Sequence, residues 1–347
     1  MRENTYAKGA DAALLGAWLS HLEHAKGRRK RTLETYWLAI ERLCEFLAGS
    51  KPLVDVEPGE LEAFGGIWLH KRGVVARSRK PYISAVRMFY AWLHRTGRTK
   101  GNLAAQLEHP KTGRPLPFAL SLASAEKLMW APDLNTFIGI RDAAMLALLM
   151  GCGLRVSGLT SLNESALRND EIGGKVRLVL NVTEKGGKER RLPIPKEAEM
   201  LLRIYLDHEG LRAIDRDVLD AKGRADKVLF VNVHNSVVPR HEYRGEAVRL
   251  GRQSVWKMIQ AYGEKAGVPE GERHPHAFRH LFGTELAEDE VDLIMRQQLL
   301  GHTDPKSTAI YDEMSMRRKT RVMDRSGPLG KMKTPVSEVL KRLPAST

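Results

Sequence analysis

A short segment near the carboxyl end, residues 274–311, concentrates side chains that could act on a phosphate group. Its first box, HPHAFRH, places His276 three positions before Arg279. A helix there would put both side chains on one face, because positions i and i+3 are neighbours. The box LLGH then ends at His302, and Tyr311 follows nine positions later. A guanidinium can bind an oxyanion, an imidazole can move a proton and a phenol can attack, so the segment predicts nucleophilic chemistry at an anionic centre.

These boxes resemble the carboxyl-terminal signature of the tyrosine recombinases, also called the phage integrase family, which reads H-x-x-R, then L-G-H, then a tyrosine at the spacing found here. Two upstream boxes resemble the rest of the family pattern. CGLRVSGL is similar to the family's arginine box and places Arg155 on it. EKGGKER is similar to the family's β-hairpin turn and places Lys185 on the lysine of that turn. The boxes come in the family's order, and the resemblance covers about residues 10–315.

The resemblance implies a catalytic set of six residues: Arg155, Lys185, His276, Arg279, His302 and Tyr311. The tyrosine would attack a DNA phosphate, forming a 3′-phosphotyrosyl link and freeing a 5′-hydroxyl. The arginines would bind the non-bridging oxygens, and the lysine would protonate the leaving oxygen. The first histidine would act as acid or base, and the second would hydrogen-bond the phosphate. Because the covalent link conserves the bond energy, no ATP, metal or other cofactor is expected.

One position departs from the family pattern. The family usually has an acidic residue three positions after the first arginine, and Gly158 stands there in this chain. Either activity is weakened or another residue supports the arginines. The departure leaves open an architectural DNA-binding subunit, beside two further alternatives, a type IB topoisomerase and a basic transcription regulator. The helical amino-terminal region argues against the topoisomerase, and the ordered boxes argue against the regulator.

A cluster of histidines raises the alternative of a zinc site. His274, His276 and His280 lie close in sequence, and the last two are four positions apart. The zinc-protease motif needs a glutamate beside its first histidine, where this chain has Ala277. Arg279 between the two histidines would also repel a cation. The sequence therefore predicts no metal site.

The composition favours a polyanionic partner. The 347 residues carry a net charge of +14, with 56 basic against 42 acidic side chains, which favours double-stranded DNA. The most apolar run, residues 143–154, is too short to span a bilayer, and no signal peptide is evident. Cys44 and Cys152 lie in apolar helical patterns and are expected to be buried thiols in a reducing compartment. We therefore expect a cytoplasmic, nucleoid-associated protein of the prokaryotic type, with no membrane partner.

The elements that must position these residues fall into two predicted domains. Residues 1–107 are expected to form a helical core-binding domain and residues 119–315 a mixed α/β catalytic domain, joined by a proline-rich linker at 108–118. The predicted fold is mainly α with a small antiparallel β-sheet, and the two domains would close on DNA as a clamp. The resemblance implies a tetramer on DNA that exchanges strands through a Holliday junction. The tail, 316–347, would dock on a neighbouring protomer, with a frayed end as the alternative.

Local patterns place several elements. Apolar spacing predicts a helix over 33–47 with Thr32 as its N-cap, and a second helix over 78–96. Alternation predicts a strand over 176–182 and a returning strand over 191–194, whereas 209–228 and 234–250 are predicted as loops. Six basic side chains are expected to contact the DNA backbone: Arg28, Arg29, Lys30, Arg31, Lys80 and Arg87. No arm-binding domain is expected before residue 10, and the expected task is recombination for a mobile element.

Overall fold

The computed structural model describes residues 5–113, 119–183, 189–220, 222–233, 238–301, 305–315 and 320, without the side chains of 306, 313 and 314. By its internal contacts the chain separates into two compact units, residues 1–115 and 116–347. Each unit has its own apolar core.

The regular secondary structure of the first unit's described residues is all helical. Its α-helices are α1 (Gly9–Ser20), α2 (Lys30–Leu47), α3 (Pro58–Ala63), α4 (Leu69–Lys71) and α5 (Ala76–Arg95). Short π-helical turns at His21–Ala25 and Phe64–Trp68 follow α1 and α3, and a 3-10 turn lies at Leu53–Asp55. Helices α2 and α5 pack together, and the aromatic rings of Trp18 and Phe89 meet edge to face at 5.2 Å in the core. The second predicted helix, over 78–96, corresponds to α5, and its apolar side chains are buried in this core.

The start of α2 differs from the prediction. We expected Thr32 to cap the helix, but the helix begins at Lys30 and Arg29 takes the extended N-cap conformation without a side-chain cap. Lysine and arginine have higher helix propensity than threonine, so the helix continues one turn further towards the amino end. At the other end Ala48 adopts a left-handed conformation at φ 50°, just before Gly49.

The second unit combines helices with small antiparallel sheets. Its helices are α6 (Leu122–Met129), α7 (Phe137–Gly151), α8 (Val156–Thr160), α9 (Lys196–Asp207), α10 (Glu209–Arg212), α11 (Arg252–Lys265), α12 (Pro275–Glu288), α13 (Leu293–Leu300) and α14 (Lys306–Met314). Its strands are β1 (Leu167–Ile172), β2 (Lys175–Thr183), β3 (Glu189–Pro193), β4 (Asp217–Leu219) and β5 (Ala225–Lys227). The predicted fold class, mainly α with a small antiparallel sheet, is confirmed.

Strands β1, β2 and β3 form one antiparallel sheet in that order. The predicted strand over 176–182 and its return correspond to β2 and β3, whereas β1 was not predicted. Gly173 and Gly174 form the two-residue turn between β1 and β2, both with positive φ, as a tight hairpin requires. The prediction of loops over 209–228 is wrong in part, because α10 and the β4–β5 hairpin lie there.

Helix α7 forms the centre of the second core. It is buried on nearly every side and packs against α9 and α12. Two charged residues on it are buried as a pair, because Arg141 donates to Asp142 and to the Val231 carbonyl, while the Tyr262 hydroxyl donates to Asp142 at 3.0 Å. Cys152, just after α7, and Cys44, on α2, are both buried free thiols. Burial raises the pKa of each thiol to about 12.

Candidate active site

A sharp turn after α7 places Arg155 at the edge of the core. Gly153 has φ 56°, and a Cβ on it would collide with the ring of Phe282 on α12, so a side chain is excluded there by both conformation and space. Two residues later, Arg155 is the N-cap of α8. The glycine therefore allows the turn after α7 to pack closely against α12. This turn directs Arg155 towards the start of α12.

The first turns of α12 carry the predicted H-x-x-R box. His274 is the N-cap, and its Nδ1 accepts a hydrogen bond from the Ala277 amide at 3.1 Å. Pro275 occupies the first helical position, where its missing N–H costs nothing. The segment is helical, as predicted, so His276 and Arg279 are neighbours on it. His276 is partly exposed to solvent, whereas Arg279 is buried.

Arg279 is held by backbone oxygens from two sides. Its Nη1 donates to the Gly153 carbonyl at 2.6 Å, and its Nη2 donates to the Leu300 carbonyl at the end of α13. Its positive charge also lies close to the Tyr311 phenol and lowers the pKa of that group. These contacts fix the guanidinium between the turn at Gly153, the carboxyl end of α13 and helix α14. The two carbonyls are neutral, so they orient the charge without cancelling it.

Tyr311 is almost completely buried, with 2 % of its surface exposed. It lies on α14, which packs against α12 and α13, and it forms a small apolar cluster with Ala287 and Leu300. Its ring faces Gly283, one helical turn beyond His280, and the centroid of the His280 ring lies 5.9 Å from that of the tyrosine. The phenol is thus held beside the arginine that would bind a phosphate.

The charges around Tyr311 perturb one another. Burial lowers the pKa of Arg279 to about 9, and the nearby positive charge of Arg155 adds to the decrease. Burial also lowers the pKa of Arg155. Burial raises the pKa of Tyr311, although both arginines act in the opposite direction. At neutral pH the arginines remain charged and the phenol remains protonated, so the site attracts an anion and needs a base.

The histidines of α12 remain neutral at neutral pH. Partial burial lowers the pKa of His276, and Arg279, His274 and Arg155 lower it further. Burial, followed by the charge of His276, lowers the pKa of His280 to about 4. A neutral imidazole at His276 can accept a proton, which is what a protonated phenol nucleophile requires. Among the described residues, no group of three or more potential ligands could hold a metal ion.

Comparison with known proteins agrees with this geometry. Residues 120–318 match the profile described as "Phage integrase family", and residues 15–97 match "Phage integrase, N-terminal SAM-like domain". The chain is 32% identical over 318 residues to tyrosine recombinase XerD of Lacticaseibacillus casei, covering 91% of this chain and 99% of the relative. It is 34% identical over 319 residues to XerD of Pseudomonas aeruginosa, covering 91% and 98%. The chain belongs to the phage integrase family. It is a tyrosine recombinase, an enzyme that transfers DNA strands.

Solved structures share the fold. The XerH site-specific recombinase in a post-cleavage complex with its palindromic difH substrate superimposes with a TM-score of 0.68 at 17% identity, covering 94% of this chain and 91% of that one. A lambda integrase dimer bound to a COC′ core site gives 0.62 at 17% identity, covering 86% and 76%. No helix among the described residues is long and apolar enough to cross a membrane.

The structure brings four of the six predicted catalytic residues together, namely Arg155, His276, Arg279 and Tyr311. The other two, Lys185 and His302, lie outside the described residues. Of the predicted DNA contacts, residues 28–31 are all exposed at the start of α2.

Two predicted DNA contacts on α5 have partners within their own unit. Lys80 donates to the Thr112 hydroxyl at 2.6 Å, and Arg87 donates to the Leu107 carbonyl at 2.5 Å. Both side chains are half-buried. They hold the segment that follows the helical bundle, and their contact with DNA remains a prediction.

Arg190 is a residue of this site that sequence reasoning missed. It lies on β3, is buried with 7% of its surface exposed, and donates to the Leu299 carbonyl, next to the carbonyl that Arg279 binds. Burial lowers its pKa to about 10, and the charge of Arg155 lowers it further. A signal was present, because strand alternation puts Arg190 on the same buried face as Leu192. The predicted returning strand, 191–194, begins one residue after Arg190, whereas β3 begins at Glu189.

Gly158, where the family usually has an acidic residue, is half-buried on α8. A Cβ there would lie 3.4 Å from a methyl group of Val182 on β2, so the position faces the sheet. Arg279 and Arg190 each donate to backbone carbonyls, which orient these two guanidiniums.

Proposed function

We propose that this recombinase is site-specific and cleaves DNA with Tyr311, forming a 3′-phosphotyrosyl intermediate. The observation that carries the proposal is the burial of the Tyr311 phenol close to two positive charges, those of Arg279 and Arg155, which both lower its pKa. A guanidinium beside the nucleophile also lies beside the phosphorus that the nucleophile attacks. The arrangement suits in-line displacement on a phosphodiester, which needs positioning and charge stabilisation more than covalent help from the protein.

In the proposed step the phenol oxygen of Tyr311 bonds to phosphorus as the bond from phosphorus to the 5′-oxygen breaks. The phenol proton passes to neutral His276, and the leaving 5′-oxygen takes a proton from Lys185. Arg155 and Arg279 bind the non-bridging oxygens, whose negative charge grows in the transition state. His302 adds a hydrogen bond to the phosphate. One phosphodiester replaces another, so the step conserves bond energy and needs no ATP or metal ion.

Strand rejoining reverses these bonds with a new 5′-hydroxyl as the nucleophile. We propose that four protomers exchange strands pairwise through a Holliday junction, in the service of a mobile element, and that the protein acts on the chromosome in the cytoplasm. The net charge of +14 and the DNA-bound relatives of the same fold support a duplex partner. Residues 28–31, exposed at the start of α2, would contact its backbone, since helix amino ends and basic side chains both favour phosphate.

A second candidate rests on Gly158. A family member without the usual carboxylate could bind its site specifically and bend or pair it without cutting. The carbonyl contacts of Arg279 and Arg190 favour the active enzyme, because they hold the guanidiniums without an acidic residue at 158.

The test is recombination on a plasmid. Duplexes bound by the protein are selected from a random pool, and two copies are placed in direct repeat on a supercoiled plasmid. The proposal predicts deletion of the intervening DNA in the presence of EDTA, and none on a plasmid with a single copy. Relaxation of a plasmid that lacks the site would indicate a topoisomerase instead. Tight binding without deletion, cleavage or relaxation would indicate the architectural subunit.

A further inference from the structure

An ion pair lies next to the proposed nucleophile. The Nη2 atom of Arg296, on α13, lies 3.0 Å from Oδ1 and 3.2 Å from Oδ2 of Asp312, the residue after Tyr311 on α14. Arg296 has only 3% of its surface exposed. Within the described part of the chain its Nε and Nη1 find no hydrogen-bond partner, so the buried charge depends on Asp312.

Helix α14 is therefore held by two neighbouring side chains that point in different directions. Successive residues of a helix are about 100° apart around its axis, given 3.6 residues per turn. Tyr311 contacts α12 through the face of Gly283, whereas Asp312 contacts α13 through Arg296. Two contacts on different helices fix both the rotation of α14 and its position along them.

Helix α13 is itself fixed to the phosphate-binding arginines. Arg190 donates to the carbonyl of Leu299 and Arg279 to that of Leu300, so the carboxyl end of α13 is tied to both. Arg296 lies one turn earlier on the same helix. Contacts thus link the arginines to α13 and α13 to Asp312, and Asp312 follows Tyr311 directly in the chain.

We propose that Arg296 is a positioning residue, which sets the distance between Tyr311 and the arginine-bound phosphate by holding Asp312. The proposal rests on the assignment of Tyr311 as the nucleophile. Without the ion pair, α14 loses its charged contact with α13, and Tyr311 is held less firmly against Gly283. Misplacing a reacting atom by about 1 Å costs on the order of 100-fold in rate. Arg296 touches neither the phosphate nor the phenol, so its loss leaves DNA affinity unchanged.

The experiment compares Arg296→Ala, Arg296→Lys, Asp312→Ala, the exchanged pair Arg296→Asp with Asp312→Arg, and the double alanine variant. Arg212→Ala is the matched control, because it breaks an ion pair with Asp207 that is exposed in the same unit. The first readout is the single-turnover rate of covalent adduct formation on a nicked duplex taken from the selected pool. DNA affinity and the thermal unfolding midpoint are measured alongside.

A second readout does not need catalysis. Tetranitromethane nitrates accessible tyrosines, and mass spectrometry of the DNA-free protein gives the rate at Tyr311. The buried ring is expected to be protected in the wild type and in Arg212→Ala. It is expected to be nitrated faster in Arg296→Ala and Asp312→Ala.

The expected result is a fall of about 100-fold in the adduct rate for either alanine variant, with unchanged DNA affinity. The double alanine variant should be no slower than either single alanine variant, because all three remove the same ion pair. The lysine and exchanged variants should recover part of the rate and the protection. Should Arg296→Ala fail to fold, Asp312→Asn removes the charge while keeping the shape and takes its place.

Wild-type rates and wild-type nitration protection in the alanine variants would overturn the proposal. A wild-type adduct that persists in Tyr311→Phe would instead overturn the assignment of the nucleophile. The nitration result would then still report whether Arg296 holds the tyrosine helix, so the two failures are distinguishable.

Discussion

The ring of Tyr311 lies directly on the backbone of Gly283. A Cβ at that glycine would be 2.6 Å from Cζ and Cε2 of the ring and 2.7 Å from Cε1. These distances are shorter than van der Waals contact, so only glycine allows the phenol to lie where it does. The face of α12 that carries His276 and His280 thus also provides the packing site for the nucleophile, at Gly283.

We expect Gly283→Ala to separate stability from activity. Alanine favours a helix interior over glycine by about 0.5–1 kcal/mol, so α12 itself should not weaken. The added methyl group must displace Tyr311, and the adduct rate should fall on the order of 100-fold. Single-turnover cleavage and thermal unfolding measure the two effects. The control is Gly16→Ala on α1, where a Cβ meets nothing within 4 Å. A normal adduct rate in Gly283→Ala would show that cleavage does not require Tyr311 to pack against Gly283.

Arg279→Lys should remove most activity although it keeps the charge. A lysine cannot reach the Gly153 carbonyl, the Leu300 carbonyl and Tyr311 together, because it lacks the planar fork of arginine. Loss of one oriented donor to a transition-state oxyanion costs about 100- to 1,000-fold in rate. Adduct formation and DNA affinity are to be compared with the wild type. A near-normal rate would mean that charge alone, without the orientation seen here, is sufficient.

The pH dependence of cleavage should follow His276. Its pKa is lowered below the ordinary value of 6.5, first by burial, so the imidazole is a base throughout the neutral range. The pKa of Tyr311 is raised, so the phenol keeps its proton in that range. We expect the rate to hold from neutral pH down to below 6.5 and then to fall as His276 is protonated. In His276→Gln the plateau should be lower and this acidic fall should disappear; an unchanged profile would exclude His276 as the base.

Stability should depend on His280 in mildly acidic solution. Its folded pKa is about 4 against an ordinary 6.5, so between these values the unfolded chain binds a proton that the folded chain does not. The contribution is therefore present at neutral pH and is lost as the pH falls from 6.5 towards 4. In urea unfolding, the free energy of unfolding of the wild type should fall by about 1–2 kcal/mol relative to that of His280→Leu across that window, a value discounted for the partial exposure of the ring. The control is the exposed His70→Asn, and parallel curves for His280→Leu would contradict the expectation.

Local patterns in the sequence were sufficient to predict much of the fold. The apolar face of α5 and the alternation of β2 are local periodicities, so both were predicted close to their observed bounds. The start of α2 was wrong, because a capping preference at Thr32 competes with the helix propensity of Lys30 and Arg31. The strand β1 carries few apolar residues and pairs through a glycine turn, which the alternation of β2 alone does not reveal.

The candidate site was predictable where chemistry is carried by residue type and spacing. Arg279 and Tyr311 belong to boxes in the sequence, and the structure places them close enough for each to shift the pKa of the other. Arg190, Gly283 and the pair Arg296–Asp312 act through contacts between elements far apart in the chain. No local pattern carries that information, because it depends on how α12, α13 and α14 pack.

The most direct test of the account is the identity of the residue that becomes linked to DNA. A labelled duplex of the selected site, nicked so that the cleaved end diffuses away, is incubated with the wild type and with Tyr311→Phe in EDTA. The account predicts a covalent adduct with the wild type only, a DNA-linked peptide carrying the 3′-phosphate on Tyr311, and a free 5′-hydroxyl on the released end. An adduct that forms equally with Tyr311→Phe, or specific binding by the wild type without any adduct, would contradict it.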